Sequence, residues 1–167
     1  MTNITFILGG VRSGKSRYAE QLAECAAHPK IYLATAEPLD SEMAARISAH
    51  RKRRGEGWKT LEIPVEIADA IAAHEGVIVV DCLTLWLSNL MHKNLDILDY
   101  TQQLVSALQA TKAAVILVSN EVGQGIIPSN ALARQFCDEA GMLHQRMAEV
   151  ATRVIFMIAG IATIIKG

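Results

Sequence analysis

The chain has 167 residues, 51% of them hydrophobic and 20% charged, and this composition excludes an intrinsically disordered protein. A balance of 16 Lys and Arg against 17 Asp and Glu gives a net charge of −1, which argues against a general nucleic-acid-binding surface. The mean hydropathy is +0.24, yet no apolar run reaches the roughly 18 residues that suggest a membrane span. We therefore expect one domain over residues 1–167, with no nucleic-acid partner and no membrane span.

Short β-branched runs alternate with longer helical periods, a pattern typical of a mostly parallel α/β sheet with helices on both faces. The predicted strands cover residues 4–8, 30–35, 60–63, 77–81, 114–119, 153–158 and 161–165. The predicted helices cover residues 14–27, 40–54, 65–74, 83–93, 97–111 and 130–150. The last strand begins just after Gly160, too close to the strand over 153–158 for a crossover helix between them, so the two should be antiparallel. The apolar run 154–165 predicts buried strand, and the polar stretches 51–59 and 123–130 predict loops.

The three cysteines, Cys25, Cys82 and Cys137, are widely spaced and form no C-x-x-C pair. They support neither a zinc site nor a disulfide framework, and small buried side chains in a reducing compartment are expected instead. The first residues lead into a strand-like run without a basic leader segment. A cytoplasmic location is therefore the prediction.

The residues after the first predicted strand fit the phosphate-loop pattern G-x-x-x-x-G-K-[ST] at every defined position. They are Gly9, Gly10, Val11, Arg12, Ser13, Gly14, Lys15 and Ser16. Glycines let backbone N–H groups approach phosphate oxygens, and the following helix presents its N-terminus to the anion. Lys15 would contact the β- and γ-phosphates of a nucleotide, and the Ser16 hydroxyl would bind Mg²⁺.

Acidic residues end two of the predicted strands. Asp81 follows the apolar run 77–80, where it would bind Mg²⁺ beside the phosphate loop, cap the next helix, or do both. The phosphate loop favours the metal role. Glu121 follows the strand over 114–119, where it would orient a nucleophile or a water, or merely sit at a solvated strand end.

His50 shares one face of the predicted helix 40–54 with Met43 and Ile47, because these residues are spaced at helical intervals. On the residues alone, this placement favours a core or boundary histidine without a catalytic role. The four basic residues that follow are Arg51, Lys52, Arg53 and Arg54. They indicate either a solvated helix end or a clamp for nucleotide phosphates, and a clamp would keep His50 neutral and nucleophilic.

Several segments together resemble the bifunctional adenosylcobinamide kinase / adenosylcobinamide-phosphate guanylyltransferase family of cobalamin synthesis. They are GGVRSGKS at 9–16, Ala34-Thr35-Ala36, DSEMAARISAHRKRRGEGW at 40–58, DCLTLWLSNL at 81–90 and SNEVGQGIIP at 119–128. The segments at 50–54 and 120–128 are far more specific than the phosphate loop, which many families share. The resemblance covers essentially the whole chain.

This resemblance implies a P-loop NTPase with a RecA-like sheet and a homotrimeric assembly. It implies that ATP or GTP phosphorylates adenosylcobinamide, and that GTP then transfers GMP through a histidine to the phosphorylated corrinoid. The histidine before the basic cluster is His50, which the resemblance makes the guanylyl carrier. Nucleotide contacts are implied for Ala34, Thr35, Ala36, Glu62 and Thr84, beside the phosphate loop and residues 51–54.

Two other functions stay open at this stage. One is a kinase with a single activity, in which His50 is structural. The other is a nucleotide-dependent switch or assembly module without catalysis, as some P-loop proteins are.

Overall fold

The structure is a computed structural model, and it describes residues 3–25, 29–37 and 57–167. The strands are β1 (Asn3–Gly9), β2 (Lys30–Ala34), β3 (Trp58–Glu62), β4 (Val77–Asp81), β5 (Ala114–Asn120), β6 (Arg153–Ile158) and β7 (Ile161–Lys166). The helices in these ranges are α1 (Lys15–Glu24), α2 (Ile67–Ala72), α3 (Leu83–His92), α4 (Ile97–Ala110) and α5 (Ala131–Val150). The predicted helix 40–54, with His50, Arg51, Lys52, Arg53 and Arg54, lies outside the described residues.

The strands form one seven-stranded sheet in the order β3-β2-β4-β5-β1-β6-β7. Every neighbouring pair is parallel except β6 and β7, which are antiparallel. The mostly parallel sheet and the antiparallel last strand predicted from the sequence are therefore confirmed. β1 lies between β5 and β6, so the residues that follow its carboxyl end emerge from the interior of the sheet.

Apolar side chains cover both faces of the sheet, which explains why the central strands read as continuous hydrophobic runs. On one face, Ala19 and Ala23 of α1 pack against β-strand residues that include Ile7 and Val118. On the other face, Phe6 and Leu117 belong to a larger cluster that includes residues of α2, α3, α4 and α5.

Most predicted boundaries agree with the structure to within a few residues, and the departures have local causes. The predicted loop 51–59 is wrong at its end, because β3 already begins at Trp58. The Trp58 ring lies edge-on to Tyr32, and its Nε1–H donates to Glu24 Oε1 at 2.8 Å. The helix predicted from residue 130 begins one residue later, because Asn130 is its N-cap and accepts from the Ala133 N–H at 3.0 Å.

The expectation of buried strand over the whole run 154–165 is wrong in its second half. β6 has a buried middle, but β7 is an edge strand with most residues exposed. Ile161, Ile164 and Ile165 are each more than half exposed. Hydropathy alone cannot distinguish an edge strand from an interior one, since both consist of apolar β-formers.

The cysteines differ in exposure, so the expectation that all three are buried is wrong. Cys82 is buried, Cys137 is partly buried and Cys25, just after α1, is exposed. All three are free thiols. Within the described ranges, no helix combines the length and the apolarity needed to cross a membrane.

Gly76, at the turn before β4, provides a test of the packing at the start of that strand. Its φ is 94°, and a Cβ there would overlap the Pro29 carbonyl oxygen, which accepts from Val77 N–H at 3.0 Å. We expect Gly76→Ala to lower the free energy of unfolding by about 2–4 kcal/mol, because backbone strain and overlap both contribute. Urea denaturation followed by circular dichroism measures this change.

Gly57→Ala is the matched control, since Gly57 has a φ of 97° but no atom of the described residues lies within 4 Å of the place where a Cβ would be. It should cost about 1 kcal/mol, from the positive φ alone. Equal losses in the two variants would show that the contact between Gly76 and Pro29 contributes nothing.

Candidate active site

The phosphate loop begins at the carboxyl end of β1, which lies between β5 and β6. Gly9 pairs in register with Asn120 of β5 and with Met157 of β6. Its carbonyl oxygen accepts the Glu121 N–H at 3.0 Å. A Cβ on Gly9 would come within 2.5 Å of the Met157 carbonyl oxygen, so the close approach of β6 requires glycine here.

The turn between β6 and β7 also contacts the loop. The Gly160 N–H donates to the Ser13 carbonyl oxygen at 3.0 Å. A Cβ on Gly14 would lie 3.4 Å from the Gly160 Cα, in van der Waals contact. The C-terminal hairpin therefore supports the phosphate loop, whereas Gly10, Val11 and Arg12 at its tip are exposed.

Lys15 is buried at the first position of α1, with a relative exposure of 7%. Its Nζ donates to the Gly10 carbonyl oxygen at 2.6 Å and lies 3.5 Å from Ser13 Oγ. Burial lowers the pKa of Lys15, and the nearby Asp81 carboxylate opposes that change. A desolvated ammonium group beside a loop of backbone N–H groups is suited to receive an anion, which would replace its contact with the loop carbonyl.

Asp81 ends β4 near Lys15, and its carboxylate is held by a phenol. The Tyr32 O–H donates to Asp81 Oδ2 at 2.7 Å. The N-cap of α3 is Cys82, which makes no side-chain cap bond, so Asp81 does not act as the helix cap. Ser16, in the first turn of α1, is partly buried. Carboxylate and hydroxyl oxygens are hard ligands of the kind that Mg²⁺ prefers, so this pair fits the predicted metal role.

Thr35 joins the end of β2 to the junction between β4 and α3. Its hydroxyl donates to the Cys82 carbonyl oxygen and accepts from the Cys82 N–H, both at 2.8 Å. Its carbonyl oxygen accepts from Asn89 Nδ2 at 2.8 Å. The Thr35 side chain is fully buried and engaged in these bonds. Any contact between the predicted segment 34–36 and a nucleotide would therefore come from atoms of the segment other than this side chain.

Thr84 is buried in a second polar link, between α3 and β5. Its Oγ1 lies 3.1 Å from Cys82 Sγ and accepts from Asn120 Nδ2 at 3.1 Å. Burial raises the pKa of the Cys82 thiol to about 11, so this thiol stays protonated and is not a nucleophile at neutral pH. Glu62 is exposed at the carboxyl end of β3, on the same edge of the sheet as the phosphate loop.

Polar contacts that the sequence did not predict link Ser119 of β5, His144 of α5 and Glu121. Ser119 Oγ lies 2.8 Å from His144 Nε2, and His144 Nδ1 lies 3.8 Å from Glu121 Oε2. Burial lowers the pKa of His144, and the Glu121 charge partly opposes that change. The helical period already places His144 with Ala140, Leu143 and Met147 on the buried face of α5, which was the available signal.

The structure thus brings the phosphate loop, Asp81 and Glu121 to one edge of the sheet. Within the described ranges, no three His, Cys, Asp or Glu side chains converge on a position suited to a metal ion. His50 and residues 51–54, the other half of the predicted site, lie outside the described residues.

Known proteins are similar to this chain over nearly its whole length. A family model described as "Cobinamide kinase / cobinamide phosphate guanyltransferase" matches residues 5–165. The bifunctional adenosylcobalamin biosynthesis protein CobP of Pseudomonas aeruginosa is 44% identical over 168 residues, covering 96% of each chain. The corresponding protein CobU of Escherichia coli K12 is 39% identical, covering 96% of this chain and 98% of its own.

Solved structures of other proteins share the fold at low sequence identity. The flagellar accessory protein FlaH from Methanocaldococcus jannaschii has a TM-score of 0.55 at 14% identity, covering 99% of this chain and 78% of its own. A prototypical ATPase from the type III secretion system of pathogenic bacteria has a TM-score of 0.54 at 11% identity, covering 98% of this chain and 57% of its own. These similarities confirm the predicted P-loop α/β fold and carry no information about the substrate.

The family resemblance predicted from the sequence motifs is therefore confirmed over nearly the whole chain. The matched range 5–165 includes the phosphate loop, the segment at 50–54 and the segment at 119–128. The chain belongs to the cobinamide kinase / cobinamide phosphate guanyltransferase family.

Proposed function

We propose that this enzyme carries out two successive transfers in cobalamin biosynthesis. In the first, ATP or GTP phosphorylates the hydroxyl of adenosylcobinamide. In the second, GMP passes from GTP to His50 and then to the phosphorylated corrinoid, which gives adenosylcobinamide-GDP. The observation that carries the proposal is the buried Lys15 in an intact phosphate loop, within a chain whose family is defined by these two activities.

The kinase step depends on holding and neutralising the triphosphate. Backbone N–H groups of residues 9–16 and the Lys15 ammonium would bind the β- and γ-phosphates. Mg²⁺, when bound through Ser16 and Asp81, supplies additional charge neutralisation. The corrinoid hydroxyl oxygen then forms a bond to the γ-phosphorus, the bond to the bridging oxygen breaks, and the nucleoside diphosphate leaves.

The guanylyl step needs a nucleophile on the protein. A neutral His50 nitrogen would attack the α-phosphorus of GTP, and pyrophosphate would leave with the electrons of the broken P–O bond. Arg51, Lys52, Arg53 and Arg54 would spread the negative charge on the leaving group. A phosphate oxygen of the corrinoid then attacks the same phosphorus and frees His50.

Further nucleotide contacts follow from the resemblance. We assign them to Ala34, Thr35, Ala36, Glu62 and Thr84, besides the phosphate loop. Support comes from position, since Ala34, Glu62 and Asp81 end neighbouring parallel strands at one edge of the sheet. Ligands of open α/β sheets bind beyond the carboxyl ends of the strands.

A homotrimer is the proposed assembly. Its support in this structure is the apolar edge strand β7, where Ile161 is 69% exposed and Ile165 is 61% exposed. An exposed apolar edge strand is a surface that proteins ordinarily cover.

Replacing Lys15 tests the shared nucleotide site. Lys15→Ala should lower both corrinoid phosphorylation and guanylylation by roughly 10²–10³-fold, because both reactions use one triphosphate cradle. Lys112→Ala is the control, since Lys112 is exposed just before β5, at the opposite edge of the sheet. Guanylylation of Lys15→Ala at the parent rate would show that residues 9–16 are not the shared site.

Replacing His50 tests the covalent intermediate. His50→Ala should abolish the GMP adduct seen by intact mass spectrometry after incubation with GTP and Mg²⁺, and with it guanylyl transfer. Phosphorylation of adenosylcobinamide should persist, because γ-phosphoryl transfer uses no nucleophile of the enzyme. The adduct should be acid-labile and base-stable, as expected for phosphorus bonded to an imidazole nitrogen.

His92→Ala is the matched control, since His92 is exposed at the end of α3. A parent protein that forms no adduct but phosphorylates the corrinoid would support the kinase with a single activity. A protein without any corrinoid-dependent turnover would support the nucleotide-dependent module.

The assembly is tested by light scattering at micromolar concentration, where the parent should have the mass of a trimer. Ile164→Glu on β7 should shift the mass towards the monomer, and Leu98→Glu on the exposed surface of α4 should not. A monomeric parent would contradict the proposed assembly.

A further inference from the structure

Glu121 lies at the carboxyl edge of the sheet, beside the start of the phosphate loop. It directly follows β5, the strand adjacent to β1, and its N–H donates to the Gly9 carbonyl oxygen at 3.0 Å. Its side chain is 20% exposed, so the carboxylate is accessible to a substrate yet largely enclosed. Its Oε1 accepts from the Gly123 N–H at 2.6 Å, which fixes one oxygen of the carboxylate.

The polar contacts that link Ser119, His144 and Glu121 permit one consistent set of donors and acceptors. If the Ser119 hydroxyl donates to His144 Nε2, the neutral ring carries its proton on Nδ1, which faces Glu121 Oε2. The opposite tautomer would place the Nδ1 lone pair against a carboxylate, which is unfavourable. Burial lowers the pKa of His144 against the opposing effect of the Glu121 charge, and so favours the neutral ring. The Glu121 carboxylate thereby favours the tautomer of His144 that carries the proton on Nδ1, and the Ser119 hydroxyl donates to Nε2. The distance of 3.8 Å from Nδ1 to Oε2 is longer than a hydrogen bond, so His144 acts on the second oxygen of Glu121 through the electrostatic attraction of its N–H dipole.

The other carboxylates that end strands of this sheet are less suited to the role. The Asp81 carboxylate lies close enough to Lys15 to raise the pKa of that lysine. Asp81 Oδ2 also accepts a hydrogen bond from the Tyr32 hydroxyl. Glu62 ends β3, which is separated from β1 by β2, β4 and β5. β5 and β6 are the neighbours of β1, and the acid Glu121 directly follows β5. The charged partner of Glu121 is His144 of helix α5, and no described strand residue forms an ion pair with it.

We propose that Glu121 accepts the proton of the attacking corrinoid hydroxyl in the kinase step, and that His144 and Ser119 are positioning residues for it. This inference rests on the proposed kinase activity. As the hydroxyl oxygen bonds to the γ-phosphorus, its O–H electrons stay on oxygen and its proton moves to Glu121. The leaving nucleoside diphosphate takes the electrons of the broken P–O bond.

The guanylyl step gives this proposal a built-in comparison. There the nucleophiles are an imidazole nitrogen and a phosphate oxygen. A phosphate monoester has its second pKa near 6, so it is largely ionised at neutral pH and needs no base. Loss of Glu121 should therefore affect phosphorylation and leave formation of the GMP adduct nearly unchanged.

Glu121→Gln is the first test, since the amide oxygen can still accept from the Gly123 N–H but cannot take a proton. We expect kcat for adenosylcobinamide phosphorylation to fall roughly 10²–10⁴-fold, with KM for nucleotide and corrinoid changed by less than about threefold. Glu149→Gln, on the exposed end of α5, is the matched control and should behave like the parent. In Glu121→Ala, added formate should restore part of the lost kcat.

His144 is tested with a variant pair that separates positioning from packing. His144→Leu removes both hydrogen-bonding atoms and should lower the kinase kcat roughly tenfold or more. His144→Gln retains one donor and one acceptor, and should recover much of that loss. Thermal unfolding of each variant, and its rate of adduct formation with GTP, show whether the fold and the nucleotide site are intact.

The outcomes distinguish this inference from the function on which it rests. A parent that phosphorylates no adenosylcobinamide overturns both. A parent that does so, together with Glu121→Gln at the parent kcat, overturns the role of Glu121 alone. Equal losses of phosphorylation and adduct formation in Glu121→Gln also overturn it, because they would mean that Glu121 only supports the nucleotide site.

Discussion

The site depends on the placement of β1 between β5 and β6. Both neighbours hold the backbone where the phosphate loop begins, through the bond from Glu121 N–H to the Gly9 carbonyl and the close approach of Met157. The loop then turns without a side chain at Gly9, and Lys15 enters a buried position at the start of α1. A loop built on an edge strand would lack one of these two supports. Because both strands hold the loop in place, the Lys15 side chain keeps one defined position although it is buried away from water.

The desolvation of Lys15 also shapes its surroundings. Burying an ammonium group is unfavourable unless polar partners surround it. Here the Gly10 carbonyl supplies a hydrogen bond and Asp81 a nearby negative charge. The phenol of Tyr32 holds that carboxylate in turn. Contacts between β2, β4 and the loop thus fix the positions of the Lys15 ammonium and the Asp81 carboxylate.

The sequence predicts the parts of the site that consist of consecutive residues. The phosphate loop is found because its glycines, lysine and serine lie within one short segment whose spacing is fixed by local geometry. The position of Asp81 is predicted because an acid after a buried strand lies at the ligand edge of a parallel sheet. The sequence does not predict the pairs Tyr32–Asp81 and Ser119–His144, which are separated by 49 and 25 residues. These contacts depend on the strand order and on which face of α5 meets β5, and neither follows from the pattern of elements.

The uneven exposure of the three thiols makes a site-specific reporter available without changing any other cysteine. Cys82 is buried with a pKa of about 11 and Cys137 is partly buried, whereas Cys25 is exposed one residue after the end of α1. At 1.5 Å per helical residue, its backbone lies about 15 Å along the helix axis from Lys15. A maleimide fluorophore or spin label at Cys25 would therefore lie at the far end of the helix that begins with Lys15, the lysine proposed to bind the phosphates. Its spectrum would report nucleotide binding at the proposed site from a position outside that site.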